Sequence, residues 1–529
     1  MTHYSSLMLC LLSEAPASIA NCCKTRFSYP VVLTLLLLTG AAGSHAQATS
    51  PADLPKSAPV NDKAALPPSV GSLPQTAPLG QSEPTKSPAV KSPPTTPATE
   101  TPTAKTQNWN FHLQNTDIVQ GNFGFRSKYS GPYSLKSTGE AKETVTLDLF
   151  FGKRLGRGLE GHADLLMWQG NGLSKTLGIE AFPNGDAYKL GTDVPNYTFA
   201  RLFLRKTIGF GGPQEDVPDT QLTLAGKQDI SRLTITAGRF AVIDVIDNNA
   251  YASDPHTQFQ NWAMAGNLAW DYAADSVGYA PGIVFDYNQS DWALRYGWSL
   301  FSSVQNGFTG EDRILMYPSR GAFGPIDKQW AMYSEYERRY SIKKHPGKIR
   351  FLAFLNQAKM TSNRQATAIL LAKGPGADIS AAQAYRFKYG FGLNWEQEVA
   401  KNVGVFSRLS WNDGLEQAWA YNDANISGSL GVSVNGDAWR RPGDTFGVGG
   451  VVSGASPSQK DYLNAGGIGI LAGDGKLTYG PEQLIETYYD YQITRGVHIA
   501  LSYQFVTNPA FNRDRGPVSI FGLRFHYGF

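Results

Sequence analysis

Residues 237–265, "AGRFAVIDVIDNNAYASDPHTQFQNWAMA", gather the side chains with the most chemistry to offer. The stretch begins with the period-two alternation of a strand and then loses it, mixing Asp244, Asp247, Asn248, Asn249 and Asp254 with Phe240, Tyr251, Phe259 and Trp262. Carboxylates and carboxamides are fixed hydrogen-bond partners, and aromatic rings are flat apolar surfaces. Together they suit a polyhydroxylated ring, whose hydroxyls bond to the polar groups while its C–H faces rest on the aromatics. The competing reading is an outer loop whose Asx residues serve turns.

Other motifs carry less. "GRGLEG", residues 156–161, has the G-x-G-x-x-G form, but a second period-two strand follows it where a dinucleotide site needs a helix, so its glycines are assigned to a tight turn. "GIGILA", residues 467–472, is weaker still. There is no H-E-x-x-H, C-x-x-C, Walker loop or G-x-S-x-G elbow. His162, His498 and His526 stand alone on polar strand faces, so neither a metal nor a cofactor is expected. No nucleophile with a nearby base can be named, which argues against an enzyme.

The elements that must position these groups are strands. The chain has 55 Gly, 25 Tyr, 27 Phe and 11 Trp but only 17% charged residues, a mix that favours strands and turns over helices. A formal net charge of +3 with dispersed Lys and Arg provides no field for nucleic acid. Residues 1–46 read as a signal peptide: Lys24 and Arg26, the apolar run "VVLTLLLL", then small residues ending in "SHAQA", with cleavage expected after Ala46 or Ala48. Translation from Met8 would shorten its long basic region. Cys10, Cys22 and Cys23 all precede that site, so the exported chain is expected to lack cysteine. Residues 47–108, dominated by Pro, Thr and Ala, cannot bury enough apolar surface to fold and read as a disordered periplasmic linker, a passive spacer or a tether.

From Trp109 onward period-two segments recur to the C-terminus, and no apolar run approaches the roughly 18 residues of a membrane helix. In "ETVTLDLFFG", Val145, Leu147, Leu149 and Phe151 oppose Thr144, Thr146 and Asp148. In "DWALRYGWSL", Trp292, Leu294, Tyr296, Trp298 and Leu300 oppose Ala293, Arg295, Gly297 and Ser299. In "YRFKYGFGLNWE", an aromatic face opposes Arg386, Lys388, Asn394 and Glu396. The closing "FGLRFHYGF" sets Phe521, Leu523, Phe525, Tyr527 and Phe529 against Arg524 and His526.

A soluble sandwich also alternates. Three features favour a membrane barrel instead: segments near ten residues long, Trp or Tyr closing the apolar faces, and charges placed mid-segment where a water-filled lumen would solvate them. Short connections such as "NQSD" and "TRG" alternate with long irregular ones such as residues 175–196, 303–328 and 361–384, the pattern of an outer-membrane barrel. The fold expected for residues 109–529 is an all-β, transmembrane antiparallel barrel. About 17 strand candidates can be counted; since single-chain barrels have an even number, 16 strands are expected, with 18 as the second choice and residues 426–452 the least secure.

The chain resembles the carbohydrate-selective porins of the OprB family. The resemblance lies in "YTFARLFLRKTIG", "GRFAVIDVIDNNAYASDPHTQFQNWA", "WDYAADSVGYAPGIVFDY", "HPGKIRFLAFLN" and "SYQFVTNPAFNRDRGPVSIFGLRFHYGF". It implies a 16-stranded channel in the bacterial outer membrane, favouring glucose and similar mono- and small oligosaccharides, with a constriction lined by charged and aromatic residues. Carried onto this chain, the constriction candidates are Arg201, Arg205, Arg239, Asp244, Asp247 and Asn248. Alternation also sets Arg201 and Arg205 on one face with Phe199 and Phe203, opposite Ala200, Leu202 and Leu204. Arg295, Arg386, Lys388 and Arg524 are further lumen-facing candidates, and Phe529 is the expected signal to the outer-membrane assembly machinery. Lipid is an expected partner, peptidoglycan another through the linker, and monomer and oligomer are both compatible with the sequence. A general small-solute porin and, further off, an outer-membrane barrel enzyme are the alternatives.

Overall fold

The computed structural model describes residues 106–187, 191–305 and 323–529. The expected signal peptide lies outside them, as does the linker apart from its last three positions. In chain order the strands are β1 (Trp109–Asn122), β2 (Glu140–Gly156), β3 (Leu159–Gly170), β4 (Thr192–Gly209), β5 (Gln214–Val217), β6 (Gly226–Asp229), β7 (Arg232–Phe240), β8 (Ala280–Asn288) and β9 (Trp292–Leu300). They continue with β10 (Trp330–Ile342), β11 (His345–Thr361), β12 (Gln383–Ala400), β13 (Val403–Asn412), β14 (Ile426–Asn435), β15 (Thr445–Gly454), β16 (Glu482–Thr494), β17 (Val497–Thr507) and β18 (Val518–Gly528).

Sixteen of these form one closed antiparallel barrel, while β5 and β6 pair only with each other. The region least secure in the sequence supplies two ordinary barrel strands, β14 and β15. Closure joins β1 to β18, from Gln114 opposite Gly528 to Gly121 opposite Phe521, which leaves no free sheet edge. Aromatic rings gather at both rims of this seam: Trp109 stacks on Phe151 and Phe111 meets Phe529 at one, while Phe123 and Tyr503 meet Phe521 at the other. Such rings suit the boundary between lipid and water.

At the first rim the connections are short. Arg157 and Gly158 (φ 51° and 74°) and Lys343 and Lys344 (φ 52° and 73°) take the left-handed conformations that a two-residue hairpin turn needs, so Gly156 and Gly158 of "GRGLEG" do serve a turn, while Gly161 lies within β3 opposite Leu204. The longest connection at this rim is the segment 210–231, which carries β5 and β6. Long loops occupy the other rim and contain α1 (Trp262–Ala265), α2 (Asn363–Lys373) and α3 (Pro457–Asn464). Among the described residues no helix is long and apolar enough to cross a membrane.

Two expectations need correcting. On β4 the pairs Asp164–Arg201 and Leu165–Phe199 are consecutive, so Ala200 is a bulge. Alternation changes phase there. Arg201, Phe203 and Arg205 point inward as expected, whereas Phe199 shares the outer face with Leu165 and Ala200 turns inward to a fully buried position. The second correction concerns the interior, which is packed rather than simply wet. Loop residue Phe259 meets Phe406 and Tyr488 of the wall at 5.3 and 4.9 Å. Lys388 and Arg524 therefore point inward but are 0% and 1% exposed, because infolded loops cover them.

Candidate pore constriction

The infolded loop leaves β7 after Phe240 and returns at Ala280. Its first turn is closed by Asp244, whose carboxylate accepts from the Ala241 amide at 3.1 Å. Asp247 then adopts φ 64°, a conformation Asx side chains tolerate better than most. Its carboxylate accepts from the Asn267 amide, the Asn394 side chain and Arg408 at 2.7, 2.6 and 3.2 Å, and its own amide donates to Glu335 of β10 at 2.7 Å. Arg408 of β13 also donates to the carbonyls of Ala252 and Met264, both at 2.7 Å.

Other wall side chains grip the loop backbone in the same way. Glu486 accepts from the amides of Gln260 and Asn261, Glu396 from that of Ala250, and Arg524 donates to the carbonyls of Pro255 and Gln258. Asn261 caps α1 by accepting from the Ala263 amide. Each buried hydrogen bond to a charged group contributes about 1.5–3 kcal/mol, so the loop is fixed to the wall at many independent points.

Between the loop and strands β1, β2 and β4 the lumen opens into a cavity of about 430 Å³. Arg201 lies at its wall, donating twice to Asp244 at 2.8 Å and once to Asp164 at 2.6 Å, with its guanidinium 5.1 Å from the Tyr279 ring. An aromatic stack faces the same cavity: Trp262 lies flat against Phe182 at 5.5 Å and Tyr421 at 5.7 Å, and Tyr421 stacks on Tyr272 at 4.5 Å. Burial pushes the phenols of Tyr272 and Tyr421 up, so both remain neutral hydroxyls. His256 sits between Asp254 and Asp186, its two ring nitrogens 2.7 and 3.0 Å from their oxygens. Burial opposes a charge on the ring, but the two carboxylates outweigh it and raise the imidazole well above 6.5.

A second cavity of about 480 Å³ lies nearer the short-turn rim and is bounded by Arg154, Glu160, Arg205, Asp286 and Arg295. Asp244 and Asn248 border both cavities. Arg205 donates to the Leu222 carbonyl at 2.6 Å and lies over the Phe203 ring at 5.2 Å. Arg295 is shared among Asp286, Glu335 and Glu337.

The remaining candidates lie elsewhere. Arg239 is 3% exposed and behind the loop, bonded to Asp275 and the Phe199 carbonyl, and borders neither cavity. Asp247 is the buried staple described above. Arg386 reaches Gln365 and Glu416 among the long loops, and Lys388 donates to the Glu416 carbonyl. Phe529 exchanges backbone hydrogen bonds with Leu113 at 3.1 and 3.2 Å, closing the barrel at its rim. Phe182, Tyr272 and Tyr421 were not singled out in the sequence, because they come from three separate loops and no local pattern joins them. Among the described residues no group of three His, Cys, Asp or Glu side chains is arranged to hold a metal ion.

The family model for the carbohydrate-selective porin, OprB family, matches residues 133–529. Among solved structures, the high-pH structure of Pseudomonas putida OprB superposes with a TM-score of 0.60 at 15% identity, over 80% of this chain and 94% of that one. The outer membrane channel DcaP of Acinetobacter baumannii gives a TM-score of 0.42 at 10% identity, over 80% and 97% of the two chains. Comparison with curated protein sequences finds no match. At 15% identity the OprB structure speaks for the barrel fold alone, and the family model speaks for the lineage. The chain belongs to the OprB family of carbohydrate-selective porins.

Proposed function

We propose that the channel passes small neutral saccharides such as glucose across the outer membrane by passive diffusion, and that the 430 Å³ cavity is where it selects them. The observation that carries this reading is the placement of the Phe182–Trp262–Tyr421–Tyr272 stack in one cavity with the Arg201–Asp244 pair and His256. Rings receive the C–H faces of a pyranose, and the charged groups, held by one another, offer fixed donors and acceptors to its hydroxyls. The volume is within the roughly 300–1,000 Å³ usual for small-molecule sites. Binding here must be weak, since a solute that stays blocks the channel. The N-terminal segment then serves export and spacing, and the C-terminal Phe529 serves insertion by the assembly machinery.

Liposome swelling with a panel of mono- and disaccharides tests the proposal. Swelling should be faster with glucose than with a disaccharide and faster than with a non-sugar solute of glucose's size. Equal rates for the sugar and the non-sugar would reduce the protein to a general pore.

A further inference from the structure

The segment 210–231 is the longest connection at the short-turn rim, and its hydrogen bonds to β1 and β4 turn it back into the barrel. Beyond β5 its tip is tied to inward-facing side chains of β1. Asn110 donates to the Asp219 carboxylate and to the carbonyls of Thr220 and Thr223 at 2.8, 3.0 and 3.0 Å; His112 lies 2.9 Å from Asp219; Gln221 donates to Gln114 at 3.2 Å. From β4, Arg205 holds the Leu222 carbonyl. Gln107, at the linker exit, pairs with Ala225 through both backbone and side chain.

Gln221 and Leu222 border the upper cavity, whereas Thr223 and Leu224 border the lower. The infolded loop straddles the same boundary with Asp244 and Asn248. A partition with one edge from each rim separates the two chambers.

We infer that the tip of the periplasmic hairpin, residues 219–223, is the second jaw of the constriction, with Gln221 and Leu222 as specificity-determining residues opposite Asp244 and Asn248. A saccharide leaving the aromatic cavity passes the Gln221 carboxamide, a neutral donor and acceptor, and the Leu222 side chain before entering the charged lower chamber. The jaw therefore sets which sugars leave, and this inference rests on the saccharide reading above.

The test is single-channel recording of the full-length channel carrying Gln221→Cys, treated with a bulky cationic methanethiosulfonate, with labelling verified by mass. The parent chain given the same reagent and an Asp216→Cys channel serve as controls, since exposed Asp216 borders neither cavity. Labelling at 221 should lower conductance about twofold and the controls should be unchanged. Leu222→Gly should raise conductance and narrow the difference between mono- and disaccharide entry. Full labelling at 221 with conductance unchanged would overturn the inference, and so would a thiol at 221 that the reagent reaches from neither side. Conductance is read in salt alone, so a parent channel insensitive to sugars would count against the saccharide reading and leave the hairpin result standing.

Discussion

Arg201→Ala removes the positive member of a cluster in which one guanidinium serves two carboxylates, Asp244 at 2.8 Å and Asp164 at 2.6 Å. The local formal charge falls from −1 to −2, counted as one Arg against two Asp. For an ion passing about 5 Å from the lost charge through water, the Coulomb energy is about 0.8 kcal/mol, reduced to roughly 0.5 kcal/mol by screening in 0.1 M salt. Losing the charge favours potassium and disfavours chloride by that amount each, so the preference for potassium over chloride should rise about fivefold, read as a shift of the reversal potential in a planar bilayer under a salt gradient. Asp244→Ala should shift it toward chloride, and the double variant, again at −1, should return near the parent. Asp247 and Arg408 anchor the loop separately, so the barrel and the rest of the constriction should persist. An Arg201→Ala channel with unchanged reversal potential, or with one displaced toward chloride, would refute the placement of Arg201 at the permeation path.

Further outcomes follow from the same geometry. Trp262→Ala takes away the ring that stacks on both Phe182 and Tyr421, and should weaken sugar-dependent current block while altering conductance in salt little. Arg408→Ala leaves Asp247 buried without its ion-pair partner, a loss of about 3–5 kcal/mol that should free part of the infolded loop and show as noisier, larger single-channel currents. Because His256 is raised in the folded channel, its ion-pair contribution is complete below pH 6.5 and is lost as the pH climbs through the raised value; alkaline recordings should show a loosened constriction, and His256→Gln should abolish that dependence. Deleting Phe529 removes the backbone pairing with Leu113 and should sharply lower the amount of folded barrel in outer-membrane fractions while export continues.

The barrel was legible because one face of each barrel strand meets lipid and the other meets polar or packed interior, which imprints a period of two on the sequence. Strict alternation misplaced Phe199 because one bulged residue, Ala200, inverts the phase and alternation cannot register an insertion. The same period showed that Lys388 and Arg524 point inward but not what covers them, since cover comes from loops distant in sequence. Residues 237–265 showed, by losing alternation amid Asx and aromatic residues, that they leave the barrel wall and carry Trp262, but the sequence left an inward fold and an outer loop both open. The ring partners of Trp262 were not visible, because Phe182 and Tyr421 meet it only once other loops fold inward. The 210–231 hairpin left no signal that it re-enters the lumen, because its contacts are hydrogen bonds to backbone carbonyls and single polar side chains rather than a patterned apolar face.

The central claim, that the aromatic cavity selects saccharides during passive flow, is tested most directly by recording single channels of the purified full chain in a planar bilayer while glucose is added. Glucose should reduce ion current in a saturable, concentration-dependent manner, and Trp262→Ala should need more sugar for the same block. An open channel whose current no saccharide changes beyond the effect of bulk viscosity would contradict the account.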